Sequence, residues 1–253
     1  MELKKTPVLV TGAASGLGEA TARHLARQGA LVAVLDINLE AANAVAAEIG
    51  GLALHCDVTD PGSAEEAIAG ARREHGPARM LVNVAGGGAA RRVVGKDGTM
   101  PLEAFSKIVA LNLFGTFNMT RLAAAEMMSL PELAGGERGL IVSTTSVAAY
   151  EGQVGQSAYA ASKGGIVSLT IQLAREFAQV GIRVMAVAPG IFKTPLLATA
   201  TAEVQESLAA AIPFPKRLGD PTEFAELVGH IASNRYLNGE VIRLDGAVRL
   251  APR

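Results

Sequence analysis

The feature that most restricts the fold is a set of short, β-branched, apolar runs at 7–11, 31–36, 51–56, 80–84, 139–143, 183–188 and 241–244. They are apolar throughout and lack the in–out alternation of a half-exposed strand. A strand of this kind has both faces buried, as in a parallel sheet covered by helices on each side. The segments between read as helices, at 16–28, 39–49, 102–128 and 157–179. Asp60-Pro61 and Asp220-Pro221 open two more, each pairing an N-cap residue with a proline at the tolerated first position. Strand and helix alternate from residue 7 to about 190. That order predicts right-handed crossovers and one doubly wound α/β domain over residues 1–253. The two irregular stretches, 86–101 and 189–219, exceed ordinary connectors, and long loops in a compact domain more often carry function.

Composition narrows the function classes. Hydrophobic residues make up 49% of the 253 and charged residues 19%, so disorder is a poor reading. Aromatics are 4% with no Trp, leaving Val, Leu, Ile and Ala to build the core. A formal net charge of -1, with basic residues clustered only in pairs, gives no electrostatic case for nucleic acid or a membrane surface. No segment approaches the ~18 apolar residues of a membrane span, and no presequence pattern precedes the first strand, so a cytoplasmic protein is expected. Cys56, the one cysteine, lies in the apolar run LALHC and reads as a buried, inert thiol. His24, His55, His75 and His230 are scattered without ligand spacing, so no metal is expected.

The first strand runs directly into TGAASGLG, residues 11–18, which opens a helix. Gly12, Gly16 and Gly18 permit a tight turn and close backbone approach. The helix start offers free N–H groups and a positive dipole end to a pyrophosphate. Asp36 closes the second strand, where a carboxylate can accept from both adenosine ribose hydroxyls and repel the extra phosphate of NADP. Position 15 is Ser, and Ile37 and Asn38 follow the Asp, so no basic residue stands where a 2′-phosphate would lie. The alternative is that Asp36 merely caps a loop.

The spacing TGxxxGxG resembles the short-chain dehydrogenase/reductase family. The resemblance implies a Rossmann-type sheet and cofactor contacts at Gly12, Ser15, Gly16, Leu17, Gly18 and Asp36. It also implies that Asp57 and Val58, after the third strand, hold the adenine. Asn83, Val84, Ala85 and Gly86 (NVAG) resemble the family's NNAG element, and each either lies against the cofactor or supports the sheet.

YAASK, residues 159–163, opens the helix at 157. Tyr and Lys four apart share a helical face. A free Tyr has a pKa near ~10, and a nearby cation brings its phenolate toward the working range. Alone, such a pair is usually a half-exposed Tyr and a solvated Lys. Here Ser146 lies thirteen residues before Tyr159, the spacing of the family's catalytic Ser. Ser143 competes for that role at the wrong distance. Asn112, in LNLFGT, matches the family's Asn in the preceding long helix, which by resemblance fixes a proton-relay water for Lys163. The expected catalytic set is Asn112, Ser146, Tyr159 and Lys163, with Tyr159 and Lys163 also touching the cofactor. Ser146 has no GxSxG turn to support acyl transfer.

The stretches SVAAYEGQVGQSAYAASKGGIV, GIRVMAVAPGIFKTPLL and PFPKRLGDP…LNGEVIRLDGAVR resemble a branch of the family whose members oxidise 3-hydroxyacyl-CoA thioesters, with hydroxysteroids as side substrates. That implies NAD, a homotetramer, cofactor contacts at Pro189, Gly190, Phe192 and Thr194, and a substrate contact at Gln153. Within 189–217, the apolar Leu196, Leu197 and Phe214 can close over an acyl chain, and Lys193, Lys216 and Arg217 can meet coenzyme A phosphates. Alternatively those charges are solvated and the apolar residues are an oligomer contact. The loop 86–101 keeps the branch pattern only loosely. The competing functions are an NAD-dependent dehydrogenase of a steroid, sugar or small alcohol, and a non-catalytic dinucleotide-binding scaffold.

Overall fold

The computed structural model describes residues 1–96, 98–198 and 201–252, without the side chains of Leu196 and Ala198. The main sheet contains β1 (Pro7–Thr11), β2 (Leu31–Asp36), β3 (Leu52–His55), β4 (Met80–Asn83), β7 (Gly139–Thr144), β8 (Ile182–Pro189) and β9 (Val241–Leu244). Its order is β3-β2-β1-β4-β7-β8-β9 and every pairing is parallel. The order reverses between β1 and β4, which opens a crevice at the carboxyl ends of the strands, where ligands bind in such sheets.

Alternate residues of each strand feed two cores. Val8, Val10, Val34 and Val142 pack with Leu25 of α1 (Gly16–Arg27), Val45 of α2 (Leu39–Ile49) and Phe224 of α9 (Pro221–Ser233). Leu9, Leu35, Leu81 and Ile141 face the other side. There they meet Ile68 of α3 (Pro61–His75), Met119 of α5 (Gly115–Met128) and Leu173 of α6 (Ser157–Glu176). Burial on both faces is why the strand sequences show no alternation.

The helix starts follow their caps. Asn38 accepts from Ala41 N at 3.1 Å, Asp60 from Gly62 N at 2.8 Å, and Asp220 forms a capping box with Glu223. The expected helix 102–128 is broken. α4 (Leu102–Val109) passes through a π-helical turn, Ala110–Phe114, before α5 begins. A π turn inserts one residue into the hydrogen-bond ladder and re-aims a side chain, and the residue at its centre is Asn112. The stretch 86–101 carries a small hairpin, β5 (Val94–Gly95) and β6 (Gly98–Thr99). The stretch 189–219 folds into α7 (Pro195–Ala198) and α8 (Ala202–Ala210). Its neck is closed by pairing of Phe192 with Gly219, where Lys193 N donates to Gly219 O at 2.9 Å. Among the described residues, no helix is long and apolar enough to cross a membrane.

Candidate active site

A cleft of about 880 Å³ lies at the carboxyl edge of the sheet. One end is the turn between β1 and α1. Gly12 and Gly16 have φ of +64° and +56°, a region costly for other residues. A Cβ at Gly12 would stand 2.7 Å from the Ala85 backbone, and one at Gly18 only 2.0 Å from Gly12 O. Ser15 precedes α1 without a side-chain capping hydrogen bond, so its hydroxyl does not occupy the first-turn amides beside the cleft. The Asp36 carboxylate accepts from Ala14 N at 3.0 Å and Asn38 N at 2.9 Å. It thus binds the glycine turn to the end of β2 and keeps acceptor capacity for a ligand. Lys163 is the one basic side chain among the described lining residues. This Gly-rich cradle, open helix start and carboxylate fit a nicotinamide dinucleotide, which when bound accepts or returns a hydride.

Asp57 and Val58 line the same end, and Val84, Ala85 and Gly86 form part of the floor. Asn83 does not line it. Its Nδ2 donates to Thr120 Oγ1 at 3.1 Å and Ser143 Oγ at 3.2 Å, so it joins β4 to β7 and α5 inside the sheet. The competitor Ser143 is occupied there too. Thr11 Oγ1 takes the N–H groups of Val84 and Ala85, each at 3.1 Å, and fixes the floor against β1.

Ser146, Tyr159 and Lys163 converge on the inner wall. Ser146 ends the extended segment after β7, and its Oγ accepts from Ala148 N at 3.1 Å, which sets its rotamer. Lys163 is buried one helical turn after Tyr159 on α6. Its Nζ donates to Thr144 O at 2.7 Å and lies 5.6 Å from the Tyr159 ring centroid. Thr145 Oγ1 donates to Lys163 O at 2.7 Å, so β7 and α6 are stapled together at the wall. Burial lowers the Lys163 ammonium to about 8. Burial also pushes the Tyr159 phenol up, while a hydrogen bond with Ser146 pulls it partly back. Both groups are thus pushed toward their neutral forms by the same poorly solvated site.

Asn112, fully buried, stands behind the wall and not in it. Its Nδ2 donates to Gly87 O at 2.7 Å and its Oδ1 accepts from Gly87 N at 3.2 Å. It therefore clamps the glycine strip 86–88 beside Tyr159. A Cβ at Gly86 would meet Asn112 Oδ1 at 2.7 Å, and one at Gly88 the Tyr159 ring at 3.1 Å. The Asn112 carbonyl accepts from Thr116 Oγ1 at 2.7 Å.

Pro189, Gly190, Phe192 and Thr194 line the cleft as expected, with Gln153 and Leu197. Phe214 does not reach it. Phe214 is 82% exposed, and its backbone N donates to Gly246 O at 3.3 Å. The Leu196 side chain lies outside the described residues. Arg217 is committed elsewhere, donating to both Glu223 oxygens at 2.8 and 2.7 Å. It does not line the cleft, and its side chain is about half exposed. Sequence reasoning missed Gln156, Leu208 and Leu250, which complete the far end. Gln156 was within reach, three residues before Tyr159, whereas Leu250 arrives only through the tertiary fold. Cys56 is buried, and its thiol is pushed up to about 12 by desolvation and nearby carboxylates, so it stays protonated.

The family profile described as short chain dehydrogenase matches residues 6–205. The 3-hydroxyacyl-CoA dehydrogenase type-2 proteins of Bos taurus and Homo sapiens are each 47% identical, over 99% of this chain and 97% of theirs. That of Drosophila melanogaster is 44% identical over 99% of this chain and 100% of its own. A solved structure of 3-hydroxyacyl-CoA dehydrogenase type-2 from Mycobacterium avium superposes with a TM-score of 0.94 at 44% identity, covering 98% of each chain. With the glycine turn and the Ser146–Tyr159–Lys163 wall in one cleft, this chain belongs to the short chain dehydrogenases, oxidoreductases that work with a nicotinamide dinucleotide.

Proposed function

We propose that the chain oxidises the 3-hydroxyl of a 3-hydroxyacyl-CoA thioester to the ketone with NAD⁺, and runs the reverse reaction with NADH. Ser146 donates a hydrogen bond to the substrate oxygen. Tyr159, as phenolate, takes the hydroxyl proton while the hydride leaves the same carbon. Lys163 favours the phenolate by its charge, and Asn112 keeps the glycine strip in place. The preference for NAD⁺ over NADP⁺ rests on the Asp36 carboxylate and the lack of a neighbouring cation among the described lining residues.

The observation that carries this reading is a cleft with two unlike ends. The Ser146–Tyr159–Lys163 wall is polar, and beyond it Ile191, Leu197, Leu208 and Leu250 form an apolar end suited to an acyl tail. The relatives' names supply the thioester. Release of NADH over thioesters of graded acyl length, beside a hydroxysteroid panel, tests it. Turnover of the steroids alone would sink the thioester reading. We also propose a homotetramer, supported by exposed Phe114, Phe117 and Met128 along one helical stretch, with sedimentation as its test.

A further inference from the structure

The loop between Ser146 and Tyr159 carries Gln153 and Gln156 into the cleft, and the C-terminal segment braces it. Val154 N donates to Pro252 O at 3.0 Å, and Gln153 Nε2 donates to Ala251 O at 3.0 Å. Between these two segments stands Glu151. Its Oε2 accepts from Leu250 N at 3.2 Å, and its Oε1 accepts from Arg243 Nη1 at 2.8 Å, with Arg249 Nε at 3.5 Å. Arg243 comes from β9. It lies over the Tyr150 ring at 5.3 Å from the centroid and gives its other N–H groups to Asp245 at 2.8 Å and Val248 O at 3.2 Å. One carboxylate, itself only 18% exposed, thus joins the catalytic loop, the last strand and the segment after it.

Leu250, whose amide Glu151 holds, is part of the apolar cluster at the end of the cleft with Leu197 and Leu208. We infer that Glu151 is a positioning residue for substrate selection: it holds Leu250 in the end wall of the cleft and so sets which acyl length fits. Glu151 touches neither the reacting atoms nor the cofactor end, and it acts through Leu250. The inference rests on the thioester reading for its substrate.

The test compares Glu151→Ala and Glu151→Gln with the wild type over 3-hydroxyacyl-CoA thioesters of graded acyl length at saturating NAD⁺. In Glu151→Ala the wall retreats. KM for the shortest chains rises, and the ratio of kcat/KM for short over long chains falls about 10-fold, the scale of a methylene or two in an apolar pocket. The kcat for the best substrate stays within about twofold, as expected when only binding shape changes. Glu151→Gln keeps one acceptor oxygen and falls between. A purely structural carboxylate would lower every chain length by one factor together with Tm. That result overturns the inference, as does an unchanged profile. If Glu151→Ala does not fold, Leu250→Ala alters the same wall directly and must shift the ratio the same way; an unshifted ratio overturns the inference. If the wild type oxidises no thioester, the thioester reading fails by itself. The ratio is then read on secondary alcohols of graded length, where the same shift supports the inference and a uniform loss overturns it.

Discussion

Replacing Lys163 by Met keeps an unbranched side chain of similar length and removes the charge, so it isolates the field that Lys163 exerts on Tyr159. The ammonium lies 5.6 Å from the ring centroid. At an effective dielectric of about 20, a unit charge at that distance is worth about 3 kcal/mol to the phenolate. That converts to a rise of about two pH units in the phenol once the cation is gone, and to a rate loss near 10²-fold where the phenolate limits. The sign with pH follows from Lys163 itself. Burial lowers it to about 8, so it carries its charge below that pH and loses it above. The deficit of Lys163→Met should therefore be largest below about pH 8 and shrink as pH rises. The assay is kcat against pH at saturating NAD⁺, which keeps any loss of cofactor affinity out of the comparison. A deficit of equal size at pH 6 and pH 10 would refute the electrostatic argument and leave Lys163 only a holder of the cofactor and of Thr144 O.

Other outcomes follow from the same geometry. Asp36→Ala should lower kcat/KM for NAD⁺ by about 10-fold or more, the scale of one or two charged hydrogen bonds, while NADP⁺ gains relative ground; an unchanged cofactor ratio would show the end of β2 misread. Gly18→Ala places a Cβ 2.0 Å from Gly12 O, so calorimetric titration should show NAD⁺ binding lost or severely weakened. Arg217→Ala removes the partner that holds Glu223 down at about 2, so it should lower Tm and leave KM for a thioester nearly unchanged. The loss of Tm should vanish in acid as pH falls towards 2, because the Glu223 carboxylate contributes its stability above its ordinary range and loses it on protonation.

The doubly wound sheet was legible because β1, β2, β4, β7 and β8 are apolar on both faces, a pattern that few other environments produce. The glycine turn and Asp36 were legible because they sit at a helix start and a strand end that the alternation predicts, whereas Ser146, Tyr159 and Lys163 were legible through the spacing they share with the short-chain dehydrogenases. The side-chain clamp of Asn112 on Gly87 was not legible. The π turn that aims its amide at Gly87 leaves the helical periodicity almost unchanged, so residues 102–128 read as one helix. Asn83 was open between cofactor and sheet, and only packing against Thr120 and Ser143 decides for the sheet. Phe214 looks like a lid member in the sequence because it is apolar in a loop over a site, yet in the fold it is exposed and does not line the cleft. Helix α8 went unread although Thr201 caps it by accepting from Val204 N, a signal hidden by treating 189–219 as one loop. Leu250 and the Glu151 clasp join residues about a hundred apart, which local pattern cannot foresee.

The most direct test of the account follows NADH formation from a short-chain 3-hydroxyacyl-CoA, with wild type and Tyr159→Phe measured side by side. The account predicts steady turnover by the wild type and a loss of about 10²–10⁴-fold in Tyr159→Phe with NAD⁺ binding kept, since only the proton-transfer group is gone. Near-normal turnover in Tyr159→Phe, or a wild type that oxidises hydroxysteroids but no thioester, would contradict it.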